Sequence, residues 1–170
     1  MRSLHLIATI FAIACNSDVR TNIRSTSESP DRITEISFHL EHSLRFPNHN
    51  VDITMDKRFD GVFIRVVSAP MSGHAGWDST RVDTTYKIDE TLFNRVLSSI
   101  RKISSKDLES AGIVGDDGIS CEIRFGDPQN YISYVVWTPY YDSKKRKTED
   151  FLHACEQFIS AAKLDPKDIL

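Results

Sequence analysis

The feature that most constrains the fold is the alternation of apolar and polar residues along short segments. Ile36, Phe38 and Leu40 alternate with Ser37 and His39. A period of two places every second side chain on the same face of a β-strand, which predicts a half-buried strand. Further runs, of which 62–67 is the most continuously apolar, predict strands at 51–55, 62–67, 82–88, 119–125 and 131–138.

Two segments have the helical period instead. The first begins after Asp89, an expected N-cap, and extends to about residue 103. The second begins after Thr148, also an expected N-cap, and ends before Pro166. The resulting order predicts an α+β domain: a mostly antiparallel sheet of about six strands with two helices packed on one face. Residues 33–170 suffice to bury a core without a metal or a disulfide.

The first fifteen residues form a separate unit. One positive charge, at Arg2, precedes an apolar stretch from Leu4 to Ala14 that is too short to span a hydrocarbon core of about 30 Å. This pattern predicts an export signal. Ala12-Ile13-Ala14 followed by Cys15 resembles the lipobox of bacterial lipoproteins. The resemblance implies removal of residues 1–14 and a diacylated Cys15 that anchors the chain to a membrane facing the periplasm; secretion without a lipid is the alternative.

A polar segment separates Cys15 from the predicted domain. Residues 16–32 contain only two apolar residues, Val19 and Ile23. Such a segment buries too little surface to offset the entropy of ordering it, which predicts a flexible tether. The chain therefore divides into a signal peptide (1–14), a lipidated cysteine with a tether (15–32) and a single α+β domain (33–170).

Charge and motifs exclude several functions. The 21 Lys and Arg against 24 Asp and Glu give a net charge of −3, which is unlike a dedicated nucleic-acid binder. The sequence contains no nucleophile elbow, phosphate-binding loop or dinucleotide fingerprint, and no His-Glu-x-x-His or paired Cys-x-x-Cys motif. We therefore expect no cofactor, no metal and a non-enzymatic role.

The two remaining cysteines leave two alternatives open. Cys121 falls on the inward face of a predicted strand and Cys155 on the apolar face of the last helix. Export into an oxidising compartment would permit a disulfide between them. The other alternative is a pair of buried free thiols that pack as small apolar side chains.

Two loops are candidate contacts for a partner protein. They contribute Met71, His74 and Trp77 from the first loop, and Tyr140, Tyr141, Lys144, Lys145, Arg146 and Lys147 from the second. Aromatic and basic side chains on loops are common anchors at protein interfaces. In organisation the chain resembles the immunity or inhibitor lipoproteins of bacteria, which implies binding to another protein. The alternatives are an envelope hydrolase, with Ser72, His74 and Asp78 as the nearest candidates, and a structural or assembly lipoprotein.

Overall fold

The computed structural model describes residues 32–43, 48–69, 82–109, 111, 115 and 117–170. These residues form six strands and five helices. The strands are β1 Glu35–His42, β2 Asn50–Arg58, β3 Gly61–Ala69, β4 Val82–Ile88, β5 Ile119–Gly126 and β6 Tyr131–Trp137. The helices are α1 Glu90–Ile100, α2 Ser105–Glu109, α3 Ser143–Arg146, α4 Glu149–Ala161 and α5 Pro166–Ile169.

The strands form one sheet in the order β4-β3-β2-β1-β5-β6, and all neighbouring strands are antiparallel. β1 lies in the interior, with Phe38 opposite Ile53 of β2 and Ile123 of β5. All three side chains are buried. The alternation in the sequence thus produces one continuous apolar face, and the predicted α+β class is confirmed.

Helices α1 and α4 cover this apolar face and contact each other. The rings of Phe38 on β1 and Phe158 on α4 are stacked with centroids 5.9 Å apart. Phe93 of α1 and Phe151 of α4 are also fully buried. These two helices are the pair expected from the sequence, and the short helices α3 and α5 were not predicted.

Of the two predicted N-caps, Asp89 makes the capping hydrogen bond and Thr148 does not. The Asp89 carboxylate accepts a hydrogen bond from the Thr91 backbone N–H at 2.7 Å, so the predicted N-cap of α1 is confirmed. Thr148 occupies the N-cap position of α4, but its hydroxyl makes no capping bond. It donates to the carbonyl of Pro139 at 2.8 Å and so connects the start of α4 to the end of β6.

Several predicted features lie outside the described residues. They are the signal peptide, Cys15, nearly all of the tether, and the loop that contains Met71, Ser72, His74, Trp77 and Asp78. Among the residues that the structure does describe, no helix is long and apolar enough to cross a membrane. The same residues contain no group of three or more His, Cys, Asp or Glu side chains arranged to hold a metal ion.

Candidate functional site

The sheet face opposite α1 and α4 is lined by polar side chains. In neighbouring strands His39 lies between Asp52 and Glu122, and Ser37 lies between Thr54 and Arg124. The face contains a groove of about 420 Å³. It is lined by Glu35, Ser37, Phe38, His39, Asp52, Thr54, Glu122 and Arg124. The polar positions of the alternating strands therefore converge on one site, which we call the open-face groove.

His39 and Asp52 form a pair at the centre of this groove. Nδ1 of His39 lies 2.7 Å from Oδ1 of Asp52, and both side chains are partly exposed. The hydrogen bond to Asp52 raises the pKa of His39 above the ordinary value of 6.5. Partial burial opposes this shift, whereas the charges of Asp52, Glu122 and Glu41 reinforce it. The surroundings of His39 thus stabilise its imidazolium form relative to that of a free histidine.

Glu122 is fixed by its neighbours on the other side of His39. Arg124 donates from Nε and Nη2 to the two carboxylate oxygens at 2.6 and 3.0 Å, and the Ser133 hydroxyl donates to Oε1 at 2.5 Å. Burial alone would raise the pKa of Glu122, but these hydrogen bonds outweigh it and lower the pKa. Arg124 also lies 5.4 Å from the ring centroid of Tyr131, a cation–π distance. The carboxylate is therefore held ionised and in one orientation.

A further ion pair and two apolar side chains flank the groove. On the β3–β4 side, Arg65 donates to both carboxylate oxygens of Asp83, at 3.1 and 2.9 Å. On the β6 side, Tyr131 and Val135 are 39% and 45% exposed. Most charged groups on this face are thus already oriented by a partner, so binding would require little further ordering.

Among the described residues, the groove contains two elements of a hydrolytic site. His39 and Asp52 reproduce the base and its orienting carboxylate, and Ser37 lies on the same face two residues before His39. Among the described residues, however, no hydrogen bond joins a hydroxyl to the second ring nitrogen of His39. Nucleophilic catalysis requires such a contact between nucleophile and base. The described residues thus supply a base and its orienting carboxylate without a bonded nucleophile, on a surface of charged side chains.

The predicted partner loop near residue 140 is present and largely exposed. Tyr140 and Tyr141 are exposed, as are Lys144, Lys145 and Lys147. A shallow depression of about 490 Å³ lies here. It is lined by Tyr140, Asp142, Ser143, Lys144 and Lys145. Lys147 Nζ lies 3.3 Å from Oδ1 of Asp107 in α2, so one of the lysines is partly neutralised.

Arg146 does not belong to this exposed surface, and its prediction as a partner contact was wrong. The residue is only 8% exposed. Its five N–H groups make five hydrogen bonds of 2.8–3.1 Å. The acceptors are the backbone carbonyls of Ala111, Trp137, Thr138 and Tyr141. Burial lowers its pKa, and the side chain serves to fix the chain beyond β6.

Cys121 and Cys155 are both buried free thiols in the structure. Their side chains interact across the interface between β5 and α4. Burial, together with the hydrogen bond to Cys121, raises the pKa of the Cys155 thiol well above its usual value. Of the two alternatives, a disulfide or a pair of free thiols, the structure therefore has the free thiols, which pack as small apolar side chains.

The sequence did not single out the groove or Phe59. Phe59 is fully exposed in the turn between β2 and β3. Its position between Arg58 and Asp60 indicates a turn but not the outward direction of the ring. The residues of the groove are separated by more than 80 positions along the chain, so the register of β1 with β5 is needed to bring them together.

No protein-family model matches the chain, and no curated protein is similar to it at a significant level. A fold class by itself does not define a function, since one architecture supports many activities. The open-face groove and the loop that contains Tyr140 are therefore the surfaces that bear on function.

The raised pKa of His39 predicts a pH-dependent contribution to stability. Because the folded pKa exceeds the unfolded value, the His39–Asp52 pair stabilises the fold fully below about pH 6.5 and loses this effect as the pH rises through the folded pKa. Chemical-shift titration should give a His39 pKa above 6.5 in the wild type and a lower one in Asp52→Asn. His39→Gln should therefore cost more stability at about pH 5.5 than at about pH 8. A wild-type His39 that titrates at or below 6.5 would contradict this.

Proposed function

We propose that the chain is a lipid-anchored protein of the bacterial cell envelope whose domain binds another protein without catalysis. The observation that carries this proposal is the open-face groove, in which charged side chains from three strands are oriented by one another on a face that α1 and α4 leave free. The lipid at Cys15 follows from the resemblance to lipoprotein signals, and the tether follows from the polar composition of residues 16–32. Immunity-like inhibition is one form that such binding takes.

The charges of the groove indicate the chemistry of the partner. Three carboxylates, those of Glu35, Asp52 and Glu122, face one permanent cation, that of Arg124. A partner surface with lysine, arginine or other donors complements this arrangement. The exposed Tyr131 and Val135 add apolar area at the rim, as is common at protein interfaces.

The loop beyond β6 supplies a second set of proposed contacts. Tyr140 and Tyr141 are exposed beside Lys144 and Lys145. Tyrosine supplies a large contact area with few rotatable bonds, which makes it a frequent interface anchor. Because Arg146 fixes this segment to the end of β6, the tyrosines are held on a defined backbone.

Site-specific photo-crosslinking tests the proposal directly. A photoreactive residue at Thr54, in the groove, should give one discrete adduct with another protein in cells that export the chain. The matched control is the same residue at Ser98, which is exposed on α1. Asp52→Asn should reduce the Thr54 adduct by about tenfold, equivalent to about 1.4 kcal/mol. Equal adducts at both positions, or none at Thr54, would reject the open-face groove as the binding surface.

The His39–Asp52 pair favours an envelope hydrolase as the second candidate. If the groove is catalytic, His39→Gln should abolish turnover of a panel of ester and amide substrates, because the base is removed. His153→Gln, on the exposed side of α4, serves as the control. Under the binding proposal neither variant changes the background rate. Turnover that is lost in His39→Gln alone would favour the hydrolase.

A further inference from the structure

The two edge strands of the sheet differ in charge. β4 carries Asp83 and Lys87, and charges of this kind prevent edge strands from pairing with other chains. β6, with the sequence YISYVVW, carries no charged residue and no proline. Among the strands that the structure describes, β5 alone is hydrogen-bonded to β6. β6 is therefore the edge that is chemically suited to pairing with another strand.

The pattern of hydrogen bonds between β5 and β6 shows which backbone groups of β6 point away from β5. The N–H of Asp127 donates to Asn130 at 2.9 Å, and the N–H of Thr138 donates to Ile119 at 2.6 Å. Hydrogen-bonded pairs alternate along an antiparallel ladder, so Ile132, Tyr134 and Val136 exchange bonds with β5. The backbone groups of the residues between them point to the outer edge. They belong to Tyr131, Ser133, Val135 and Trp137.

Arg146 closes one end of this edge. Its guanidinium donates to the carbonyls of Trp137 and Thr138 at 2.9 and 2.8 Å. Among the described residues, the outward N–H and C=O groups of Tyr131, Ser133 and Val135 have no partner. These six groups follow one another in a row along the edge of β6, a strand that α2 also contacts.

We propose that this row pairs with the same row of a second copy of the chain, antiparallel about a two-fold axis at Ser133. In this register Ser133 lies opposite Ser133 of the partner subunit. Tyr131 lies opposite Val135 of the partner subunit. By symmetry, Val135 lies opposite Tyr131 of the partner subunit. All three positions are hydrogen-bonded pairs, which gives six backbone hydrogen bonds and a continuous sheet of twelve strands.

The side chains favour a second copy over an unrelated strand. Tyr131 and Val135, the exposed apolar residues of β6, are the residues that this register places opposite each other twice. Aromatic and β-branched side chains form favourable cross-strand pairs. Because β6 is uncharged, the two-fold axis brings no like charges together. The contact buries less surface than a standard interface, so the dimer is expected to be weak and dependent on concentration.

Sedimentation of the purified chain in a Cys15→Ser background tests this inference. The wild-type chain should change from monomer to dimer between about 10 μM and about 1 mM. Val135→Lys should remain monomeric over this range, because two lysines would enter the paired edge. Thr85→Lys, on the exposed face of β4, is the matched control and should dimerise like the wild type. Circular dichroism would be used to check that each variant is folded.

A cysteine at the two-fold axis gives a second readout. Ser133→Cys should form an intermolecular disulfide on mild oxidation, since opposite Cα atoms in such a pair lie about 5.5 Å apart. Ser160→Cys, exposed on α4, should not. A wild-type chain that stays monomeric at about 1 mM, or a dimer that survives Val135→Lys, would overturn the inference. A Ser133→Cys chain that forms no more intermolecular disulfide than Ser160→Cys would also overturn it. None of these outcomes depends on the proposed function.

Discussion

Replacing Arg146 with alanine is expected to lower the free energy of unfolding by about 3–5 kcal/mol. The side chain satisfies four backbone carbonyls, and a buried acceptor that loses its donor costs about 1–3 kcal/mol. Water can reach some of these carbonyls after the change, which keeps the total below the sum of the individual losses. Urea denaturation followed by circular dichroism measures the effect.

One further variant separates the contribution of the guanidinium geometry to stability from that of its charge, and a second serves as a control. Arg146→Lys keeps the positive charge but offers three donors from one nitrogen, so it should recover less than half of the loss. Lys145→Ala, which changes the exposed neighbour, should stay within about 0.5 kcal/mol of the wild type. A loss below about 1 kcal/mol for Arg146→Ala would contradict the structural role assigned here.

Replacing Cys15 with alanine is expected to transfer the exported chain from the membrane fraction to the soluble fraction. Two acyl chains hold a protein at a membrane because each buried methylene contributes about 0.8 kcal/mol. The net charge of −3 gives the protein itself no electrostatic attraction to anionic lipid. Fractionation of the cells, together with the intact mass of the mature chain, measures both location and modification.

The matched control for this experiment is Ser17→Ala, two residues further along the tether. This variant keeps the cysteine and should remain in the membrane fraction. A diacylglycerol mass on Cys15 in the wild type would support the lipid anchor. An unmodified Cys15 in a soluble wild-type chain would contradict it and leave simple secretion as the explanation.

The strands and the two long helices were predictable because local patterns determine them. The alternation of Ile36, Phe38 and Leu40 corresponds to buried positions of β1, and Asp89 caps α1 as predicted. In these segments the hydrophobic period and the capping preference agree with the tertiary fold. Local sequence therefore sufficed for the fold class.

The groove and the role of Arg146 were not predictable because both depend on distant parts of the chain. From the sequence alone, His39 is predicted to be a solvated residue of a strand. Only the pairing of β1 with β2 and β5 places Asp52 and Glu122 beside it. Arg146 lies in a run of four basic residues, which normally indicates a solvated surface. Its burial follows from the hydrogen bonds that it donates to the carbonyls of Ala111 and Trp137, and no local pattern reveals these contacts.

The interior position of β1 determines the order in which the sheet can be completed. Strands β1 to β4 are joined by successive antiparallel pairings and can associate as soon as about 60 residues of the domain are available. The other side of β1 pairs with β5, which follows more than 75 residues later. Until β5 arrives, β1 is itself an edge strand with an apolar face. A chain interrupted before residue 119 would therefore leave β1 as an exposed edge strand that can pair with other chains. Correct folding depends on the synthesis of the C-terminal third, which contains β5.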